Sequence, residues 1–475
     1  MLLTWTLCLG VGASLLSGVS GAEDLLMVYD RALANDPQIR EADATRRAAR
    51  ETRPQAIASL LPQINGTGTI RSRSETDGTS INTQTLLGGG TNVIDNGGNT
   101  TTNTRNIWNL QLRQNLFSWA NWSTLRASSH QVAQAESDFV VAQQSLVQRV
   151  ASLYFSVLAA QDDVEANEAA RDAITRQLDQ ADKRFEVGLI AITDVQEARA
   201  ARDQAAAAAI ASKRALASAQ EQLRAVTGEK YNVLNKPADT MPLLTPAPAS
   251  EDEWVKISMD QNAALTSSRL GADIARDQVR VQFGGHLPTV DLVVGRSHNQ
   301  SDSTQIPLTG AQRLSEVDTD GKSISLQFTL PIFSGGATQS RVRQSQFQWI
   351  AAKERLERSS RDTERSARDA YLGVISEISR VQALKQALES SQTALRATEA
   401  GYEVGTRTAV DVLDARRALI QAQTNYSQSR YAYLNNVIAL RFASGDLDRA
   451  TIEEINKWLT EPQVAPAPNP VPPSP

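Results

Sequence analysis

Few side chains in this chain could carry covalent chemistry. Its 475 residues include three histidines and one cysteine. His130 falls in a helical run, His286 at the start of a strand and His298 beside a polar stretch, and no spacing resembles H-E-x-x-H, a zinc site or a nucleophile motif. No phosphate-binding loop of the G-x-x-x-x-G-K-[ST] kind appears. An enzyme, a metal centre or a cofactor site therefore has no residue support. The unusual residues are concentrated instead in a stretch that occurs twice. FEVGLIAITDVQEAR from Phe185 and YEVGTRTAVDVLDAR from Tyr402 align without a gap. Each Gly, 188 and 405, closes a long helical pattern and can take the left-handed cap conformation. Thr193 or Asp194 in the first copy, and Asp411 in the second, suit the N-cap or first turn of a following helix. Each copy is expected to be the tip of a helical hairpin. Val187-Gly188-Leu189 and Val404-Gly405-Thr406 form the apex, which suits a docking surface as well as a helix cap. Asp411 and Asp414 lie three apart, on one face about one turn from each other. Around an oligomer axis they would form stacked carboxylate rings, which attract cations, repel anions and raise one another's pKa. Taken alone, Asp411 reads first as an N-terminal helix charge and Asp414 as part of a solvated face.

Composition and compartment set the frame for those tips. The formal net charge of −5 leaves no footprint for nucleic acid. Only 5% of residues are aromatic, and the abundance of Ala, Gln, Arg, Ser and Glu suits long helices packed through small side chains. Residues 1–22 read as a secretory signal: Leu2 to Val19 is apolar, and Ser20-Gly21-Ala22 supplies small residues for cleavage. That leader has no Lys or Arg before its apolar core and contains Cys8, the single cysteine, so the mature chain is expected to have no disulfide or Cys metal site. Beyond it, no run approaches the roughly 20 apolar residues of a membrane-spanning helix.

Two repeats follow, 23–236 and 250–459, joined by a Pro-rich linker at 237–249. Leu25 to Leu60 is helical with a break at Asp36-Pro37. Ile64–Arg73 alternates as a strand, with Asn65, Thr67, Thr69, Arg71 and Arg73 on one side. The Thr-, Asn- and Gly-rich Ser74–Asn106 reads as a loop, and Ile107–Phe117 as a second strand. A proline-free helix then runs from about Ser123 to Val187, on the order of 100 Å long. Its seam of Leu146, Val150, Leu153, Val157, Ala160 and Val164 has coiled-coil spacing. After the tip at 185–194, a return helix reaches Val226. The second repeat gives a helix from Glu251 to Phe283, strands at Val290–His298 and Ser323–Phe333, and a polar loop Asn299–Lys322 between them. A second long helix, Thr338–Glu403, leads to the tip at 402–411 and a return helix to Phe442. The Pro-rich 460–475 reads as a disordered tail.

Strands of about 9–11 residues with one apolar face have the length of tilted bilayer-crossing strands. Four cannot close a barrel, and open edges are not tolerated in lipid. Two or more chains must therefore combine, and three would supply about twelve strands.

With both repeats laid out, the chain resembles the TolC family of outer-membrane efflux and secretion channels. The resemblance covers about Glu23 to Leu459 and rests on the duplicated VGL/VGT…DV…AR tips, the Leu61-Pro62 and Leu287-Pro288 pairs before strands, and the order of elements. It implies an α+β membrane protein with an internal two-fold repeat, in which a homotrimer joins a transmembrane β-barrel of four strands per protomer to a long α-helical coiled-coil barrel in the periplasm. It implies that Tyr402 bonds Asp194 and that Arg407 reaches Thr193, or Asp194 of a neighbouring protomer, to hold the tips shut. It places Asp411 and Asp414 at the constriction, and has Val187, Gly188, Leu189, Val404, Gly405 and Thr406 meet a periplasmic adaptor (membrane fusion protein). The function implied is a passive exit duct working with an inner-membrane pump or ABC exporter, without cofactor or metal. The alternative is a periplasmic coiled-coil scaffold or adaptor lacking a barrel, which would have no need of apolar-faced strands.

Overall fold

In the computed structural model, residues 23–85, 91–231, 233–238, 240–307 and 311–461 are described. The expected leader with Cys8, and the tail from 462, lie outside the described residues. Asp24 starts α1 (Leu25–Asn35), its carboxylate accepting the Met27 N–H at 2.7 Å. Asp36 leaves helical backbone, and Pro37 opens α2 (Pro37–Arg50) at the first-turn position where a missing N–H costs nothing. Then follow α3 (Thr52–Ala58), β1 (Gln63–Thr85), β2 (Thr91–Phe117), α4 (Trp119–Glu186) and α5 (Ile192–Thr227). After a short β3 (Lys236–Pro237), the order recurs as α6 (Glu251–Gln261), α7 (Ala263–Phe283), β4 (Thr289–Pro307), β5 (Arg313–Thr329), α8 (Ala337–Glu403) and α9 (Ala409–Ser444). The described chain closes with α10 (Arg449–Asn456) and β6 (Leu459–Thr460). Among the described residues no helix is long and apolar enough to cross a membrane.

Two compact units cut across the sequence repeats. One is built from the described residues of Met1–Ala42, Val140–Ala263 and Ser360–Pro475, the other from Asp43–Phe139 and Ala264–Ser359. The second unit holds an antiparallel sheet in the order β1-β2-β4-β5. Its register aligns Ile64, Leu112, Val294 and Ile324 across all four strands, with Leu292 and Leu326 in the next row. Much of this apolar face is uncovered: Ile324 is 78% and Leu326 66% exposed. Further along the same face, Leu110 sits beside Arg296 and Lys322, and Trp108 beside His298 and Asp320. The apolar rows therefore end in a charged border. The opposite face carries Asn65, Gln111 and Ser323, and there buried Asp291 accepts from Arg113 at 2.7 Å and Asn115 at 2.9 Å. β1 and β5 are edges, each paired on one side only.

The strands are longer than their hydrophobic alternation shows. β1 and β2 run through most of the expected loop Ser74–Asn106, and β4 and β5 through most of Asn299–Lys322. Ladder bonds are made by the backbone, so Thr- and Ser-rich segments extend a sheet without apolar alternation. The expected strand Ser323–Phe333 stops at Thr329, two residues before Pro331, which has no N–H to donate. The single-phase reading of Ile64–Arg73 also fails. β1 carries an extra residue between Thr69 and Ser72, where Arg71 takes φ 53° and its N–H meets the Asn106 side chain at 2.7 Å. This bulge puts Arg73 on the face opposite Asn65, Thr67 and Thr69.

In the other unit, Leu146, Val150, Tyr154, Phe155, Leu158, Leu434 and Ile438 form part of a buried apolar core. Three of them, Tyr154, Phe155 and Leu158, lie outside the coiled-coil seam expected in α4. On that helix the buried side chains form a wider stripe. Asp162 sits at the edge of this core and accepts from Lys236 Nζ at 2.7 Å, Tyr431 Oη at 2.7 Å and the Ser427 hydroxyl. The linker expected at 237–249 is fastened at both ends of this region. β3 pairs with β6, so Thr460, assigned from sequence to the tail, is part of a ladder, and Tyr433 exchanges hydrogen bonds with the Leu244 N–H and carbonyl at 2.9 and 3.2 Å.

Candidate functional site

Both duplicated stretches form hairpin tips, capped by the same backbone device. Gly188 has φ 74°; its N–H meets the Phe185 carbonyl at 2.9 Å, and the Leu189 N–H meets that of Arg184 at 2.9 Å. Gly405 has φ 78°; its N–H meets Tyr402 at 3.1 Å, and the Thr406 N–H meets Gly401 at 2.8 Å. This is the Schellman pattern, which satisfies the last carbonyls of α4 and α8. A side chain at either glycine would meet nothing, so the backbone conformation alone selects glycine there. At the apex, Val187, Leu189 and Val404 are 69%, 73% and 76% exposed. The first hairpin is held below its tip by Leu178, Ala181, Val195 and Ala198 with Ile190. Ile174, Ala201 and Leu413 join it to α9.

The helix starts differ between the copies. Thr408 caps α9 and shares a capping box with Asp411: the Asp411 N–H reaches Thr408 Oγ1 at 3.2 Å, and the Thr408 N–H reaches Asp411 Oδ2 at 2.8 Å. That backbone N–H, with the Thr408 hydroxyl, holds the Asp411 carboxyl below the usual aspartate range. The capping energy is thus present above the ordinary aspartate pKa and is lost as pH falls through the lowered one. In the first copy the cap is Ala191, with extended backbone and no side-chain bond, rather than Thr193 or Asp194. Those two occupy the first turn instead. With alanine at the cap there is no box, and the Asp194 carboxylate accepts no hydrogen bond among the described residues.

Within one chain, neither Tyr402 nor Arg407 bonds Thr193 or Asp194 among the described residues. Tyr402 lies beneath Arg184, whose guanidinium carbon is 4.8 Å from the ring centre. Asp414 pairs with Arg417 on its own helix at 3.0 Å, and Arg417 also reaches Gln204 at 3.4 Å. An ion pair between Glu399 and Arg416 ties α8 to α9. A groove of about 560 Å³ beside these groups is lined by Arg176, Lys183, Arg184, Glu399, Tyr402 and Arg416, among others. Sequence reasoning did not single out Arg184, Glu399 or Gly401. The available signal was the alignment of the copies, which sets Arg184 opposite Gly401 and Ile190 opposite Arg407.

A sheet with one apolar face and two long, tip-capped helical hairpins defines a class, the subunits of outer-membrane channels. The chain belongs to the outer membrane efflux protein family, whose model matches residues 28–229 and 254–446. Outer membrane protein TolC of Escherichia coli is 34% identical over 457 residues, covering 96% of this chain and 88% of that one. The alkaline protease secretion protein AprF of Pseudomonas aeruginosa is 30% identical over 458 residues, covering 95% and 90%. Among solved structures, the outer membrane protein VceC of Vibrio cholerae superposes with a TM-score of 0.69 at 19% identity, over 89% of this chain and 97% of that one. The CmeC outer membrane channel of Campylobacter jejuni gives 0.69 at 20% identity, over 92% and 90%. These two matches bear on the fold alone.

Proposed function

We propose that the protein is the outer-membrane exit duct of a tripartite efflux pump or type I secretion system. Three copies join their sheets into one barrel of about twelve strands, apolar face to lipid and polar face to the lumen. The observation that carries this reading is the four-stranded sheet with uncovered apolar rows and two half-paired edges, β1 and β5. Lipid cannot satisfy those edges, and pairing with another copy does. The charged border at Arg296, Lys322 and Asp320 marks where the apolar band meets water. TolC and AprF, an outer membrane protein and a protease secretion protein by name, are consistent with both transport settings. The duct is passive, and an inner-membrane pump or ABC exporter drives transport through a periplasmic adaptor that docks on Val187, Gly188, Leu189, Val404, Gly405 and Thr406. Membrane fractionation tests the assembly. Heat-modifiable trimers in the outer-membrane fraction are expected, and a soluble periplasmic protein would overturn the reading in favour of a scaffold or adaptor.

The tips act as the gate. Tyr402 and Arg407 supply donors, and Thr193 and Asp194 supply acceptors. The open Asp194 carboxylate, which no capping box occupies, suits that role. Because one chain does not join these groups by itself, the latch forms on assembly. Asp411 and Asp414 form the carboxylate rings at the constriction. Replacing both with alanine is expected to raise the concentration of multivalent cation needed to block planar-bilayer conductance by roughly tenfold, equivalent to about 1.4 kcal/mol of lost attraction. Block at the wild-type concentration would remove the ring assignment.

A further inference from the structure

Gly401 is helical and does not have positive φ, so its backbone does not call for glycine. Glycine inside a helix is unfavourable relative to alanine. Space supplies the reason for it here. A Cβ on Gly401 would fall 2.8 Å from Arg407 Cγ, 3.5 Å from Arg407 Cβ and 3.2 Å from Thr406 Oγ1. The same residue's carbonyl accepts the Thr406 N–H at 2.8 Å, the Arg407 N–H at 3.2 Å and the Thr406 hydroxyl at 3.0 Å. Backbone and stem of the Arg407 turn are therefore both folded onto Gly401.

The first copy shows what replaces this arrangement. Opposite Gly401 it has Arg184, whose guanidinium crosses to the Tyr402 ring. Opposite Arg407 it has Ile190, which packs against the hairpin core. One tip tucks its apolar residue inward, and the other lays a cation along its own helix. We infer that Gly401 is a positioning residue for Arg407: its bare Cα is the seat on which the Arg407 stem lies, limiting the arc that the guanidinium sweeps at the tip. A methyl group at 401 displaces Arg407 Cγ, crowds Thr406 Oγ1 and moves the charge away from its partners, while favouring the helix itself. Gly401 thus touches no transported solute and acts through Arg407.

This inference rests on the gate reading, and the experiment separates the two. Full-length trimers carrying Gly401→Ala, Arg407→Ser or both are compared in planar bilayers and by thermal unfolding. Arg407→Ser is expected to raise conductance about a hundredfold or more, Gly401→Ala to come within about twofold of that level without lowering the melting temperature, and the double variant to rise no further than Arg407→Ser alone. A raised Arg407→Ser with a flat Gly401→Ala, or an additive double variant, overturns the Gly401 assignment and leaves the gate standing. A flat Arg407→Ser overturns the gate. The seat has a readout of its own: a nitroxide attached at Arg407→Cys places its sulfur where Cγ now lies against Gly401. Adding Gly401→Ala is expected to change the spectral line shape of that label, and an unchanged line shape overturns the seat whatever the conductance.

Discussion

Trimers carrying Tyr402→Phe together with Arg407→Ser are expected to conduct in planar bilayers far more than wild type. The closed-to-open equilibrium should shift by about three orders of magnitude. Each protomer loses at least one charge-assisted hydrogen bond at its tip, worth about 1.5 kcal/mol once shielded in the assembled ring. The tips of one chain are exposed, so the lower end of the range applies. Three tips opening together lose about 4.5 kcal/mol, and 1.4 kcal/mol is a factor of ten. The phenol and the guanidinium contribute differently. Tyr402→Phe keeps the ring beneath Arg184 and removes only the hydroxyl, whereas Arg407→Ser removes a charge from each tip. The arginine is therefore expected to carry most of the change when the two are separated. Conductance equal to wild type in the double variant would reject the latch.

The second large effect is expected far from the tips. Asp162→Ala should destabilise the unit that contains it by about 1–3 kcal/mol, the usual cost of leaving buried hydrogen-bonding groups without their partner. Its side chain is only 18% exposed, and three donors converge on it from Lys236, Ser427 and Tyr431. Without the carboxylate, the buried Tyr431 hydroxyl has no acceptor there, and Lys236 keeps only Glu165, at 3.4 Å. The linker segment and α9 then lose their shared anchor on α4. Asp162→Asn, which keeps an acceptor oxygen, should fall between wild type and the alanine variant in thermal unfolding of the detergent-solubilised protein. A melting temperature unchanged in Asp162→Ala would show that the cluster contributes nothing to stability. Neighbouring Asp163 gives the region a pH signature. Burial, then the charge of Asp162, pushes its carboxyl above the usual range. The folded state therefore holds that proton more tightly than the unfolded chain. Through the window above the ordinary aspartate pKa this group's contribution falls as pH rises, opposite in sign to Asp411.

The tips were legible in the sequence because a helix cap is a local problem. A glycine after a helix and a polar residue opening the next one are decided by backbone conformation over a few residues; Gly188 and Gly405 behave accordingly, and Asp411 falls in the first turn of its helix, with Thr408 as the cap. Of the two positions that Thr193 and Asp194 suit, N-cap or first turn, they take the first turn, and Ala191 is the cap. What set the cap was the extended backbone at Ala191. Hydrophobic alternation marked only part of each strand. The polar remainder, through Thr85 and from Thr91, is held by cross-strand backbone bonds that any residue but proline can make. The bulge at Arg71 likewise depends on a partner strand that no local pattern reveals.

By itself, then, the sequence determined the double repeat, the helical hairpins with their glycine caps, and the amphipathic character of the strands. Periodicity and capping are properties of short segments, and the chain carries them in its composition. Only the tertiary structure decided the length of the sheet, the division of the repeats between two compact units, and which side chains meet at the tips. The pairing of Tyr402 with Arg184, of Asp411 with Thr408, and of Arg407 with Gly401 turns on distances of a few ångström. Two stretches that align without a gap reach different arrangements because single differences, Gly401 for Arg184 and Thr408 for Ala191, change what space and which donors are available.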